Sequence, residues 1–134
     1  MLKAIERALL LQEFELLRFA SADQLMQLAE VCREEMVRAG EVLLRSNEPA
    51  ARLLLLVLGD AALEGSEDTP LRKTALNLWP CLAGVRHPAT CRCVTDCTVL
   101  TLAAEELTDL LSDDPELSLA FLKYAAHLHL AGPA

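Results

Sequence analysis

Apolar positions in this chain follow two different periods, and the changes between them divide it in three. Near the start Leu2, Ile5, Ala8 and Leu9 sort to one side and Glu6 and Arg7 to the other, the spacing of an amphipathic helix. The pattern loosens at Phe14-Glu15-Leu16-Leu17. A second helix starts at Ser21, because Gln24 stands three residues later and each side chain can satisfy a free N–H of the first turn. Leu25, Leu28, Ala29 and Cys32 follow at i, i+3, i+4 and i+7, one helix face. Gly40 closes this helical region or sits in the turn just beyond it.

From Gly40 the period shortens. Val42-Leu43-Leu44 is a brief apolar run, and Ser46-Asn47-Glu48-Pro49 is turn chemistry. Leu53-Leu54-Leu55-Leu56-Val57-Leu58 is unbroken, six residues long and bounded by Arg52 and Gly59, which fits a buried strand better than a helix. Alternation puts Leu54 and Leu56 on one face, Leu53 and Leu55 on the other. The stretch 65–70 is a polar loop, and strands are expected at 89–94 and 98–102 around Thr95-Asp96. The helical period returns at Ala104, with Leu107, Leu110 and Leu111 on one face. Asp114-Pro115-Glu116 then places a cap, a proline at the first helical position and an acid in the first turn. Leu117, Phe121, Tyr124, Ala125 and Leu128 make the packing stripe of that last helix. The expected layout is one domain with helices over 1–39, a β region over 40–102 and helices over 103–134.

Composition narrows the function. With 134 residues there is room for one core, and aromatics at 4% make that core aliphatic. Asp and Glu outnumber Lys and Arg 20 to 12, a formal charge of −8, which argues against a nucleic-acid surface because phosphate binding needs a basic stripe. No apolar run approaches the roughly 20 residues that span a bilayer, and the charged start Met1–Arg7 has no signal-peptide core. Five cysteines, an odd number, suggest reduced thiols and a cytoplasmic setting.

Candidate chemistry is sparse. Cys91, Cys93 and Cys97 lie close together with His87 near, but there is no Cys-x-x-Cys knuckle or second pair to complete a zinc tetrahedron. Small buried hydrophobes in a sheet is the plainer expectation for them, with a thiol or metal site as a minor alternative. His127 and His129, two apart on a helix, diverge. Glu34-Glu35, Glu105-Glu106 and Asp113-Asp114 are adjacent carboxylates that helical geometry points apart. No Gly-x-Ser-x-Gly elbow or glycine-rich phosphate loop exists. An enzyme is not expected.

The order of the elements and several short segments resemble the cyclic-nucleotide-binding domains. Val37-Arg38-Ala39-Gly40-Glu41-Val42-Leu43-Leu44 is similar to that family's entry into its first barrel strand. Glu48-Pro49-Ala50-Ala51-Arg52-Leu53 resembles the next turn, and Leu55-Leu56-Val57-Leu58-Gly59-Asp60 the strand ending in a family glycine. Ala89-Thr90 and Val94–Leu102 look like the paired strands after the phosphate cassette, and Asp113–Leu117 like the start of the last helix. The resemblance implies a mainly β fold: a jelly-roll β-barrel of the eight-stranded type, with strands missing where the segment from Gly59 to Thr90 is short, flanked by helices at both ends.

The resemblance also implies a ligand cassette, and here the chain departs from it. The family's Phe-Gly-Glu supplies N–H groups to the cyclic phosphate and a carboxylate to the ribose, while an arginine two residues before Ala-Thr pairs with the phosphate. Here Leu78-Trp79-Pro80-Cys81-Leu82-Ala83-Gly84 stands in place of the first, with no glutamate, a bulky Trp79 and a proline that lacks an N–H. His87 stands at the arginine position, and Arg86, one residue off, points the other way on an extended segment. The expected function is a regulatory domain with no cofactor, unable to bind cyclic AMP or cyclic GMP in the usual way and acting as a docking or dimerisation module. The alternative is a working site for a cyclic nucleotide or another anion, with an altered cassette built from Arg86, His87, Ala89, Thr90 and Trp79. Leu119, Leu122 and Ala126 lie off the packing stripe of the last helix, so the expected partner is a second copy of the chain or a segment of a host protein, with no membrane insertion. No helix-turn-helix pattern follows that helix before Ala134, so a transcription factor of the catabolite-activator type is not expected of these residues.

Overall fold

The computed structural model describes residues 1–131. Helix α1 (Ala4–Leu11) is followed by a single 3-10 turn (Glu15–Leu17) and by α2 (Ala22–Val31). The expected cap of α2 is present: the Gln24 N–H donates to Ser21 Oγ at 3.2 Å, and the Ser21 N–H donates to Gln24 Oε1 at 2.9 Å.

The helical region does not run to residue 39. After Val31 the chain becomes strand β1 (Arg33–Val37), paired antiparallel with β7 (Cys97–Ala103) from Arg33↔Thr101 to Val37↔Cys97. Arg33-Glu34-Glu35 carries no strand pattern of its own. An edge strand can be polar because its partner's backbone supplies the hydrogen bonds. Arg7 secures the break by donating from Nη1 to the carbonyls of Ala29 (3.1 Å) and Cys32 (2.9 Å) at the end of α2.

The remaining strands are β2 (Val42–Leu44), β3 (Arg52–Leu58), β4 (Ala61–Leu63), β5 (Thr74–Leu76) and β6 (Cys91–Cys93). Among the described residues seven antiparallel strands thus form two sheets, ordered β1-β7-β3-β5 and β2-β6-β4. They make a jelly-roll with helices at both ends, as expected, with seven strands in place of eight. A short helix, α3 (Leu78–Ala83), follows β5, while α4 (Ala104–Asp113) and α5 (Pro115–Ala131) end the described chain. Asp114 caps α5, its Oδ1 accepting from the Leu117 N–H at 3.0 Å.

Strand β3 explains its own composition. It lies inside the larger sheet, between β7 and β5, and Leu53 to Val57 are all at most 1% exposed. Both faces are covered, so an unbroken apolar run is required. Leu53, Leu55 and Val57 face the helices and pack with Phe14, Leu28, Leu100, Leu107 and Phe121. Leu54 and Leu56 face the second sheet and pack with Leu44, Ala61, Cys91, Cys93 and Val99. The strand end depends on Gly59. Its φ is +94°, and a Cβ there would lie 2.9 Å from both Cα and Sγ of Cys97 and closer still to the Asp96 carbonyl oxygen. Among the described residues no helix is long and apolar enough to cross a membrane.

Candidate functional site

The segment that would hold a ligand begins where β5 ends. Asn77 adopts the left-handed conformation (φ +73°) and turns the chain into α3, and Gly84 (φ +69°) ends that helix. Asparagine is one of the few non-glycine residues that visit this region readily. Its amide also ties the turn down: Nδ2 donates to the Arg52 carbonyl at 2.8 Å, and Oδ1 lies 2.6 Å from Nδ1 of His87. With Nδ2 donating, Oδ1 is the acceptor, so Nδ1 of His87 is the donor in this contact.

His87 is buried, and its backbone is fixed as well. Its N–H donates to the Glu48 carbonyl (3.0 Å) and its carbonyl accepts from the Asn47 N–H (2.9 Å). Arg86 is exposed and donates from Nη1 to the Asn47 carbonyl at 2.8 Å. Thr90 Oγ1 accepts from the Ser46 N–H at 3.0 Å, and Ala89 is half-buried beside it. The structure therefore brings His87 to the start of α3 but leaves Arg86 on the surface, with its guanidinium on a main-chain carbonyl. Trp79, 43% exposed, stacks on Tyr124 of α5 with ring centroids 6.4 Å apart. Pro80 is the third residue of α3. A helix leaves the N–H groups of its first turn free, so the proline costs the helix no hydrogen bond but removes one donor from its start.

Between the two sheets the space is occupied by side chains. Leu44, Leu54, Leu56, Ala61, Leu76, Cys91, Cys93, Cys97 and Val99 form one packed cluster, each at most 9% exposed, and none is charged. The three cysteines are the polar-capable members. Burial pushes the thiols of Cys91 up to about 11 and Cys93 up to about 12, with neighbouring thiols adding to both. Cys97 Sγ donates to the carbonyls of Asp60 and Thr95, each at 3.3 Å. Cys32, on the helix side, is pushed up to about 12, chiefly by burial. All five cysteines are free and buried, and among the described residues no three His, Cys, Asp or Glu side chains converge to hold a metal.

On α5, Leu117, Ala120 and Phe121 are buried and Tyr124 is half-buried. The packed stripe fades before Leu128, which is 45% exposed. Leu119 (50%), Leu122 (65%) and Ala126 are exposed, so nothing within the described chain covers that face. Asn77 is the site residue that reading the sequence missed. Its signal was an asparagine, tolerant of the left-handed region, directly before a short apolar segment.

No family model matches the sequence, and no curated protein matches it. Solved structures do match its shape. A candidate cAMP-binding regulatory protein from Silicibacter pomeroyi DSS-3 is 19% identical with a TM-score of 0.73, over 92% of this chain and 61% of that one. The N-terminal domain of a transcriptional regulator from Streptomyces coelicolor A3(2) is 20% identical, TM-score 0.74, over 88% and 90% of the two chains. A candidate cyclic nucleotide-binding protein from Geobacter metallireducens GS-15 is 16% identical, TM-score 0.74, over 98% of each. The chain spans about three fifths of the length of the Silicibacter protein. The fold is that of the cyclic-nucleotide-binding domains.

Proposed function

We propose that the chain is a non-catalytic regulatory domain that acts through protein contacts made by α5, and that it does not bind cyclic AMP or cyclic GMP in the usual manner of its fold. The observation that carries this reading is the uncharged, side-chain-filled interior of the roll. A cyclic phosphate there would be an anion without partners, which costs several kcal/mol. The start of α3 supports the same reading, because Asn77 and His87 bond each other and Pro80 lacks a donor. The exposed Leu119, Leu122 and Ala126 supply the contact face, for a second copy or a host segment. Five free thiols fit a reducing, cytoplasmic setting.

Calorimetry with cyclic AMP and cyclic GMP tests the ligand half. No binding heat is expected, and a dissociation constant of about 10 µM or tighter, roughly 7 kcal/mol, overturns it. Light scattering of the wild type and of Leu122→Glu tests the contact half. Self-association lost in the variant supports a second copy as the partner. Two monomers of equal solubility would remove the case for an interface on α5.

A further inference from the structure

A cleft of about 290 Å³ lies outside the roll, where the 3-10 turn, β5, α3 and α5 meet. Its volume is close to the lower end of small-molecule sites, roughly 300–1,000 Å³. Phe14, Leu16 and Leu78, each at most 4% exposed, are among its lining residues and give it a rigid apolar base. Trp79 and Tyr124 also line it, stacked on one another with ring planes only 9° apart, and give it an aromatic wall. Trp79 is 43% exposed, so its ring is open to a ligand from solvent.

Two cations complete the lining. Arg72 holds Asp60 through Nε (2.7 Å) and Nη2 (3.1 Å), which leaves Nη1 free. Lys73 is paired with Glu13, but its ammonium carries three N–H groups and that partner takes one. Glu15, the one carboxylate among the lining residues, sits on the exposed 3-10 turn with Arg18 beside it. The cleft thus combines flat apolar walls with spare N–H donors on two cations that each already hold one carboxylate.

We propose that this cleft binds a flat aromatic carboxylate. Its rings would lie along Trp79 and Tyr124, and its carboxylate would take the spare donors of Lys73 and Arg72. Such a ligand touches α3 and α5 at once and so joins the contact helix to the rest of the domain. The cleft lies outside the roll, so neither the cyclic-nucleotide titration nor the association of Leu122→Glu bears on this proposal.

Trp79 is the only tryptophan, so its indole N–H gives a single identifiable signal in a ¹H–¹⁵N spectrum. Titration with 2-naphthoate is expected to move that signal to saturation with a dissociation constant below about 1 mM. The neutral analogue 2-naphthalenemethanol is expected to bind at least tenfold more weakly. Lys73→Ala with Arg72→Ala should abolish that difference, and Trp79→Ala, followed by calorimetry, should weaken naphthoate at least tenfold. Tyr124→Ala repeats the aromatic test should Trp79→Ala fail to fold. A signal that does not move at millimolar naphthoate, or equal affinity for the acid and the alcohol in the wild type, overturns the proposal.

Discussion

The two faces of the larger sheet carry different cores. On the helix side, β3 and β7 meet Phe14, Phe121 and leucines from the 3-10 turn, α2, α4 and α5. On the roll side they meet Leu44, Ala61, Leu76 and three cysteines, with no aromatic residue at all. The first core is large because helices bring long side chains to one sheet face from several directions. The second is narrow because it lies between two sheets, about 10 Å apart in such packings, and is filled by side chains from both. Leucine, alanine, cysteine and valine pack the roll.

The sharpest break of this contrast is at the edge of the roll. Gly59→Ala forces a left-handed φ on a residue with a Cβ and drives that atom against the backbone of Asp96 and Cys97. The expected loss is about 3–5 kcal/mol, from backbone strain together with overpacking. A urea midpoint within error of the wild type would show that the turn relaxes freely.

A smaller and more informative test compares truncations on the two faces. Leu55→Ala on the helix side is expected to cost about 2–5 kcal/mol. Cys91→Ala on the roll side removes one buried sulfur atom, and the expected loss is about 1 kcal/mol. Both residues are 0% exposed, so the difference reads side-chain size and the ability of each core to close around the gap. Equal losses by urea denaturation would mean that the two cores are equally unforgiving.

The smallest expected effect of any single group is titration of a buried thiol. Cys32, Cys91 and Cys93 are all held above the ordinary value of 9.0, with burial as the largest cause. The unfolded chain therefore loses its thiol protons at a lower pH than the folded one. Stability from these groups is complete below pH 9 and falls as the pH rises from about 9 toward 11–12. At pH 10 the loss from Cys32 alone is expected to be about 1 kcal/mol. Urea unfolding at pH 8 and pH 10 checks it, and Cys32→Ala should flatten the slope. A wild type equally stable at both pH values would contradict the burial argument for all three thiols.

Much of the scaffold was legible from local signals. The reciprocal bonds of Ser21 and Gln24, the Asp114 cap before Pro115, and the opposite faces of Leu53/Leu55 and Leu54/Leu56 each depend on residues within a few positions of one another. The opposite placement of Arg86, exposed, and His87, buried, was legible for the same reason: alternation on an extended segment separates them whatever surrounds them. Strand β1 was not legible, nor were the three-residue strands β4 and β5. Their hydrogen bonds belong to partners far along the chain, and segments so short or so polar show no period. The pairing of Asn77 with His87 needed the left-handed turn that brings positions ten apart into contact.

The sequence by itself determined where helices start, where the apolar strand lies and that Arg86 and His87 point apart, because caps, periods and side-chain alternation are local. Only the tertiary structure decided which face of β3 closes the roll, which strand edges are paired, and that Trp79 meets Tyr124 while Leu119 and Leu122 stay uncovered. Those outcomes depend on which distant segments compete for the same surface, and burial is settled by the whole chain at once.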